Sequence, residues 1–388
     1  MDANLIKKEV EIVREKIEKA KSDEERISLA YDSFDIEALL MVLENKPIEM
    51  TPSLDKYFDF VIGHDSRITS AFLEEIYVNR EFYEAQAHNV LTRFSLEKFD
   101  IHEQTKIEPQ VFSEKESLEL IRSFLSSYDE KADNLFMTML SNGQIGSIKD
   151  FNLSDGIDGK CFWINSLGKT YILSGEEYNT LGNMSLLMHE MGHAYEFYLL
   201  TGKSLEARQG IYATLHTEVT SNFFENAFNE FLRKNGINPM EVYRMKERYL
   251  KLLFEQFYQM YIAFRSKKFI NGTYFVKTNL MAYKKASKSI RKEFGYYIDL
   301  INREFNVNSL LAYGNSMLTS VALYDFFQND PTFFKRNFEE TIKMYGVRKD
   351  PGIYSFFGLS DEDMCEATML VSEFEKQKTL GLSLGIKK

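Results

Sequence analysis

Cysteine, proline, tryptophan and basic excess are all scarce in this 388-residue chain. Cys161 and Cys365 are the only cysteines, and two thiols so far apart do not make a disulfide framework. That usage fits a reducing compartment. Lys and Arg number 47 against 58 Asp and Glu, leaving a net charge of −11. Nucleic-acid binding rests on cationic side chains neutralising phosphates, so the composition argues against a nucleic-acid partner. No apolar run reaches the length of a spanning helix. The opening MDANLIKKEVEIVREKIEKA has no apolar core of the kind a secretory leader needs. The expectation is a soluble, cytoplasmic protein with no membrane partner. With only 6 prolines and a single Trp, few breaks interrupt long helices.

What the chain has in quantity is aromatic bulk, 32 Phe and 22 Tyr. Most of these rings are expected in the core, with a minority lining a groove. Helical periodicity dominates. Ile6, Val10, Val13 and Ile17 mark one face of an opening helix. Ser113 followed by Glu116 reads as a capping box ahead of the apolar face of Ile121, Leu125 and Tyr128. The strand signal is concentrated in KCFWIN (160–165) and KTYIL (169–173), which flank Ser166-Leu167-Gly168 as a hairpin. NLSDGIDG before it reads as loop, and helices resume with GNMSLLMHEMGHAYEFYLL, which ends at Thr201-Gly202. TLHTEVTSNFFENAFNEFLRKNG is the next helix, stopped at Gly236, and a third runs over roughly 240–270. A weak boundary falls at 103–110, and Thr51-Pro52-Ser53 is a turn.

Within the helix ending at Gly202 stands His189-Glu190-Met191-Gly192-His193. Histidines at i and i+4 share a helix face and can reach one metal ion. Glu190, turned aside, can hydrogen-bond a zinc-bound water and take its proton. With 6 histidines in the chain, the pattern arises by chance in roughly one such sequence in a hundred. A hydrolytic zinc site needs a third protein ligand. Positions 196 and 199 are Glu and Leu, which excludes the HExxHxxGxxH arrangement. Glu196 lies on the same helix and Glu206 in the loop between Gly202 and Gly210, so both are poor candidates. Glu218 lies on the next helix and is the preferred ligand. Glu225 shares its face with Ser221 and Glu218; it is either an acceptor that orients an imidazole or a solvated carboxylate.

LLMHEMGHA, EVTSNFFE, GIDGKCFWINSLGKTYIL and YGNSMLTSVALYDFF together resemble the thimet oligopeptidase family of zinc peptidases, in its oligoendopeptidase F branch. The resemblance runs from about residue 105 to 375. It implies a mainly helical, zincin-type fold, with a small sheet or hairpin before the HExxH helix and a substrate cleft between two lobes. Residues 1–105 would form a reduced N-terminal lobe and 106–388 the catalytic domain. It implies one zinc ion on His189, His193 and Glu218, with Glu190 as general base. It also implies that the strand beginning near Gly159 pairs with substrate backbone, so that Gly159, Cys161 and Phe162 contact the peptide, and that Tyr313 lies near the scissile carbonyl. Cys161 is otherwise a small buried residue, or a thiol close enough to the metal to make activity sensitive to oxidation.

The chain departs from the family at Glu196, where a histidine is usual, and before Tyr313, where a histidine and further tyrosines are usual. Tyr296 or Tyr297 are the nearest replacements. It is also shorter than typical members. The expected activity is hydrolysis of internal bonds in short peptides. The alternatives are trimming from one peptide end, or a catalytically silent zinc protein that binds peptides or partners. The oligomeric state is not fixed by these features.

Overall fold

The computed structural model describes residues 1–46, 50–93, 108–148, 159–293, 306–345, 353–367 and 369. The chain is predominantly helical with one small sheet, as expected. Helices α1 (Ala3–Glu18) and α2 (Asp23–Leu43) form an antiparallel pair, and α3 (Pro52–Val78) runs on into α4 (Arg80–Arg93). Thr51 accepts from the Leu54 amide with Pro52 in the first turn, so the turn read at this point is the N-cap of α3. Helices α5 (Glu114–Tyr128) and α6 (Glu130–Ser141) follow. The capping box at Ser113 forms in both directions, at 2.8 Å and 3.3 Å.

The sheet comprises β1 (Ile145–Ser147), β2 (Gly159–Ile164) and β3 (Lys169–Ser174) in the order β1-β3-β2. β2 and β3 are antiparallel, with Cys161 opposite Ile172 and Phe162 opposite Tyr171. The tight connection carries a left-handed Gly168 at φ 60°, a conformation that suits a residue without Cβ. β1, too short to show a period, adds on the far side of β3 in parallel. β2 is therefore an edge strand. Successive side chains of a strand face opposite sides, and the two faces are claimed by different helices. Phe162 and Ile164 join Ile6, Val10, Val13, Ile36 and Leu39 beneath α1 and α2. Cys161 and Trp163 turn to the main core around α7. Asp32 of α2 accepts from the amides of Asn165 and Ser166 at 3.1 Å and 2.7 Å, fixing the hairpin turn to the helix.

Helix α7 (Leu181–Leu200) begins at a Thr180 cap and ends before Gly202. The one-turn α8 (Leu205–Gln209) occupies what reads as loop, because Ser204 caps it. The main core continues through α9 (Ile211–Lys234), α10 (Pro239–Arg265), α11 (Lys267–Ile270), α12 (Gly272–Glu293), α13 (Asn306–Asn329), α14 (Pro331–Lys343) and α15 (Ile353–Phe356). Most of the aromatic excess is here: Phe223, Phe224, Phe228 and Phe257 are fully buried. The loop before β2 up to residue 158, Tyr296 and Tyr297, and positions 103–107 of the weak boundary lie outside the described residues.

The decisive packing is α7 against α9. The two helices run antiparallel, and their polar contacts descend along α9 as they ascend along α7. Ser185 donates to Asn229 at 3.0 Å, His189 to Glu225 at 3.0 Å, and Glu196 accepts from Thr217 at 3.0 Å. Midway, Gly192 lies against the backbone of α9. A Cβ there would sit 2.5 Å from Ser221 Cα and 2.6 Å from the Thr220 carbonyl oxygen. Backbone cannot yield as a side-chain tip can, so Gly192→Ala forces the helices apart. We expect a loss of about 2 kcal/mol or more in urea unfolding, at the upper range for overpacking.

Candidate metal centre

The α7–α9 pair brings three ligand-type side chains to one point. His189, His193 and Glu218 offer atoms that all lie within 4.8 Å of one another. Glu218 Oε2 is 3.5 Å from His189 Nε2 and 3.6 Å from His193 Nε2. A tetrahedral zinc ion with bonds of roughly 2.0–2.1 Å needs its donors about 3.4 Å apart. The three positions fit such an ion, and the two-imidazole, one-carboxylate set is that of a hydrolytic zinc site. The imidazole rings stand at 79° to each other with centroids 5.2 Å apart, so their edges converge.

Supporting contacts fix these rings. His189 Nδ1 donates to Glu225 Oε2 at 3.0 Å. The Glu225 carboxylate can only accept, so Nδ1 carries a proton toward it and Nε2 is the ring atom that faces Glu218. Glu225 thus contacts the imidazole while its side chain stays 26% exposed. His193 stacks on Phe197 at 6.1 Å, and Phe197 on Trp163 at 4.6 Å. Ser221 donates to Glu218 Oε2 at 3.1 Å.

The electrostatics are those of a buried acidic cluster around two imidazoles. Burial pushes Glu218 up, but His193 and His189 outweigh it and hold its carboxyl at about 2. Burial opposes charge on His189, yet the flanking Glu218 and Glu225 keep its pKa well above the ordinary imidazole value. His193 is brought down to about 4 by burial. Glu190 stands apart from the ligand set and is 6% exposed. Burial raises it to about 7, against the nearby charges of His189 and Lys160 and a backbone hydrogen bond from Cys161.

The edge strand passes close to this carboxylate. A Cβ on Gly159 would lie 3.4 Å from Glu190 Oε1. Cys161 presents its backbone to Glu190, and burial, with Glu190 second, pushes its thiol well above the usual range. It is thus a protonated, half-buried thiol. Phe162 is fully buried in the cluster under α1 and α2, so its side chain points away from Glu190. Tyr313 of α13 hydrogen-bonds Glu218. The charge of Glu218 first, then burial and Glu190, raise its phenol well above the ordinary value. Sequence reading missed Asp35 of α2, whose carboxyl burial raises to about 6 in the field of Lys160. An isolated acid on a helix gives no signal by itself.

No protein-family profile and no curated protein matches the sequence. Solved structures do resemble it. A structure of PZ peptidase A with an inhibitor aligns over 91% of this chain and 68% of its own, at 11% identity and a TM-score of 0.52. An oligoendopeptidase F from Bacillus anthracis str. Ames aligns over 91% of this chain at 12% identity and a TM-score of 0.48. This chain spans 64% of that protein's length. At such identities the likeness to PZ peptidase A is one of fold. No described helix is long and apolar enough to cross a membrane.

Two expectations follow. Glu225→Ala should weaken zinc binding by about 10- to 100-fold, read by competition with a chromogenic chelator, because the His189 ring loses its orienting acceptor. Asp35 binds its proton more tightly in the folded protein than in the unfolded chain. Its contribution is therefore most favourable below about pH 4 and is lost as pH rises through about 6. Asp35→Asn should stabilise the protein by about 1–2 kcal/mol at pH 8, with no difference near pH 4, in denaturant titrations at the two pH values.

Proposed function

We propose that this chain is a zinc-dependent oligoendopeptidase, hydrolysing internal bonds of short peptides. The observation that carries the reading is the spacing of Glu218 Oε2 from both Nε2 atoms, 3.5 Å and 3.6 Å, with Glu190 beside that set rather than in it. One zinc ion held by His189, His193 and Glu218 would supply Lewis acidity and a water of lowered pKa. Glu190, with its pKa near 7, takes the proton of the attacking water and returns it to the leaving amine. The Tyr313 hydroxyl donates to the oxygen that gains charge at the scissile carbonyl. The outer edge of β2 from Gly159 to Phe162 pairs with substrate main chain, and Cys161 contributes backbone rather than thiol. That mode depends little on side chains and suits a broad range of short peptides.

In this reading residues 106–388 are the catalytic unit and 1–105 a reduced lobe bordering the cleft, in a cytoplasmic protein with no nucleic-acid or membrane partner. A silent zinc-containing binding protein of the same fold is less well supported. A structural site closes all four positions with His and Cys and has no use for a buried carboxylate beside them.

A pool of short peptides incubated with purified protein and read by mass spectrometry tests the proposal. Internal cuts should vanish with chelator and return with zinc. Glu190→Gln should lower kcat by about 10²- to 10⁴-fold while zinc content is unchanged, and Tyr313→Phe by about 10- to 100-fold. Stoichiometric zinc with no peptide cut would overturn the enzymatic reading.

A further inference from the structure

Glu196 is a buried acid that the proposed chemistry does not use. It lies on α7 one turn beyond His193 and is 1% exposed. Thr217 donates to its Oε1 at 3.0 Å and Thr220 to its Oε2 at 2.8 Å. These two threonines bracket Glu218 on α9. Tyr345, beyond the end of α14, donates to the carbonyl of His216, next to Thr217, at 3.3 Å. Every partner of Glu196 thus lies on or against the turn of α9 that carries the third ligand.

The contact at Gly192 sets how closely α9 approaches α7. Asn229 and Glu225 tie the C-terminal part of α9 to α7, while the turn that carries Glu218 is held on its N-terminal side by Glu196. A helical side chain ends roughly 5–6 Å from the axis, so a turn of about 10° moves a ligand atom by about 1 Å. Zinc geometry tolerates only about 0.2 Å. The turn of Glu218 therefore needs its own anchor, and a residue that merely filled this buried position would be apolar. Building on the zinc reading above, we propose that Glu196 is a positioning residue: by gripping Thr217 and Thr220 it sets the rotation of α9 and holds Glu218 at ligand distance from the two histidines.

The test compares zinc affinity, by chelator competition, with the thermal midpoint of metal-free protein for wild type, Glu196→Met, Glu196→Gln and Thr217→Val/Thr220→Val. Glu196→Met should keep its midpoint within about 5 °C of wild type, since the Thr217 and Thr220 hydroxyls left behind can turn to the carbonyls one turn back on α9. Its zinc affinity should fall by about 10- to 100-fold. Glu196→Gln should recover to within about threefold, because rotatable hydroxyls can serve both an amide oxygen and an amide nitrogen. The double threonine variant should match Glu196→Met. Wild-type zinc affinity in Glu196→Met overturns the inference; should that variant not fold, wild-type affinity in the threonine pair does so. Wild-type protein that binds no zinc removes the metallopeptidase reading and this inference with it, which separates the two failures.

Discussion

The contact of Gly192 with the backbone of Ser221 is the constraint on which the rest of the site depends. A Cβ at this position would lie 2.5 Å from Ser221 Cα, so α7 and α9 are closer here than ordinary side chains permit. Only at that separation can a glutamate on α9 reach between two imidazoles on α7. Glutamate is long enough for this to be tolerant in isolation, but a flexible ligand pays conformational entropy when it is fixed. Close backbones shorten the reach required. Ser221, which supplies the contact, also donates to Glu218 Oε2 at 3.1 Å, so the crossing point and the orientation of the ligand depend on the same residue.

Much of this was legible in the sequence where a local rule governs the outcome. The capping box at Ser113, the left-handed Gly168 between two strands and the glycine that ends α7 each follow from chemistry within a few residues. The i, i+4 spacing put His189 and His193 on one face for the same reason. Periodicity also gathered Glu218, Ser221 and Glu225 on one face of α9, but it could not say what that face touches. Whether Glu225 meets an imidazole or water is decided by the pairing of α7 with α9, a long-range fact. The same limit hid Glu196. Read locally it was a residue unsuited to ligation, and its importance comes from two threonines more than twenty positions away. β1 escaped notice because three residues carry no period, and its partner β3 is reached through a long excursion.

The distribution of charge has its own logic. Glu190, Glu196, Glu218 and Glu225 lie along one helix interface, three of them buried or nearly so, with Tyr313 hydrogen-bonded to one. Carboxylates so placed repel one another in a medium that screens poorly. The fold answers differently at each. Glu196 is raised well above the ordinary value by burial and is held by hydroxyls. Glu190 is raised to about 7. Glu218 is kept ionised by the histidines.

That division matches the roles that the proposed hydrolytic centre requires. A ligand must be an anion at neutral pH, and a general base must be able to hold or release a proton there. Glu218 is held near 2 and Glu190 near 7, which suits the first to ligation and the second to proton transfer in the proposed centre. The difference comes from position on the helices. Glu218 is aimed between the rings, while Glu190, one residue from His189, is turned by the helical twist toward β2, where burial outweighs the stabilisation from His189, Lys160 and the Cys161 backbone. The HExxH spacing thus sets proton affinity as well as geometry.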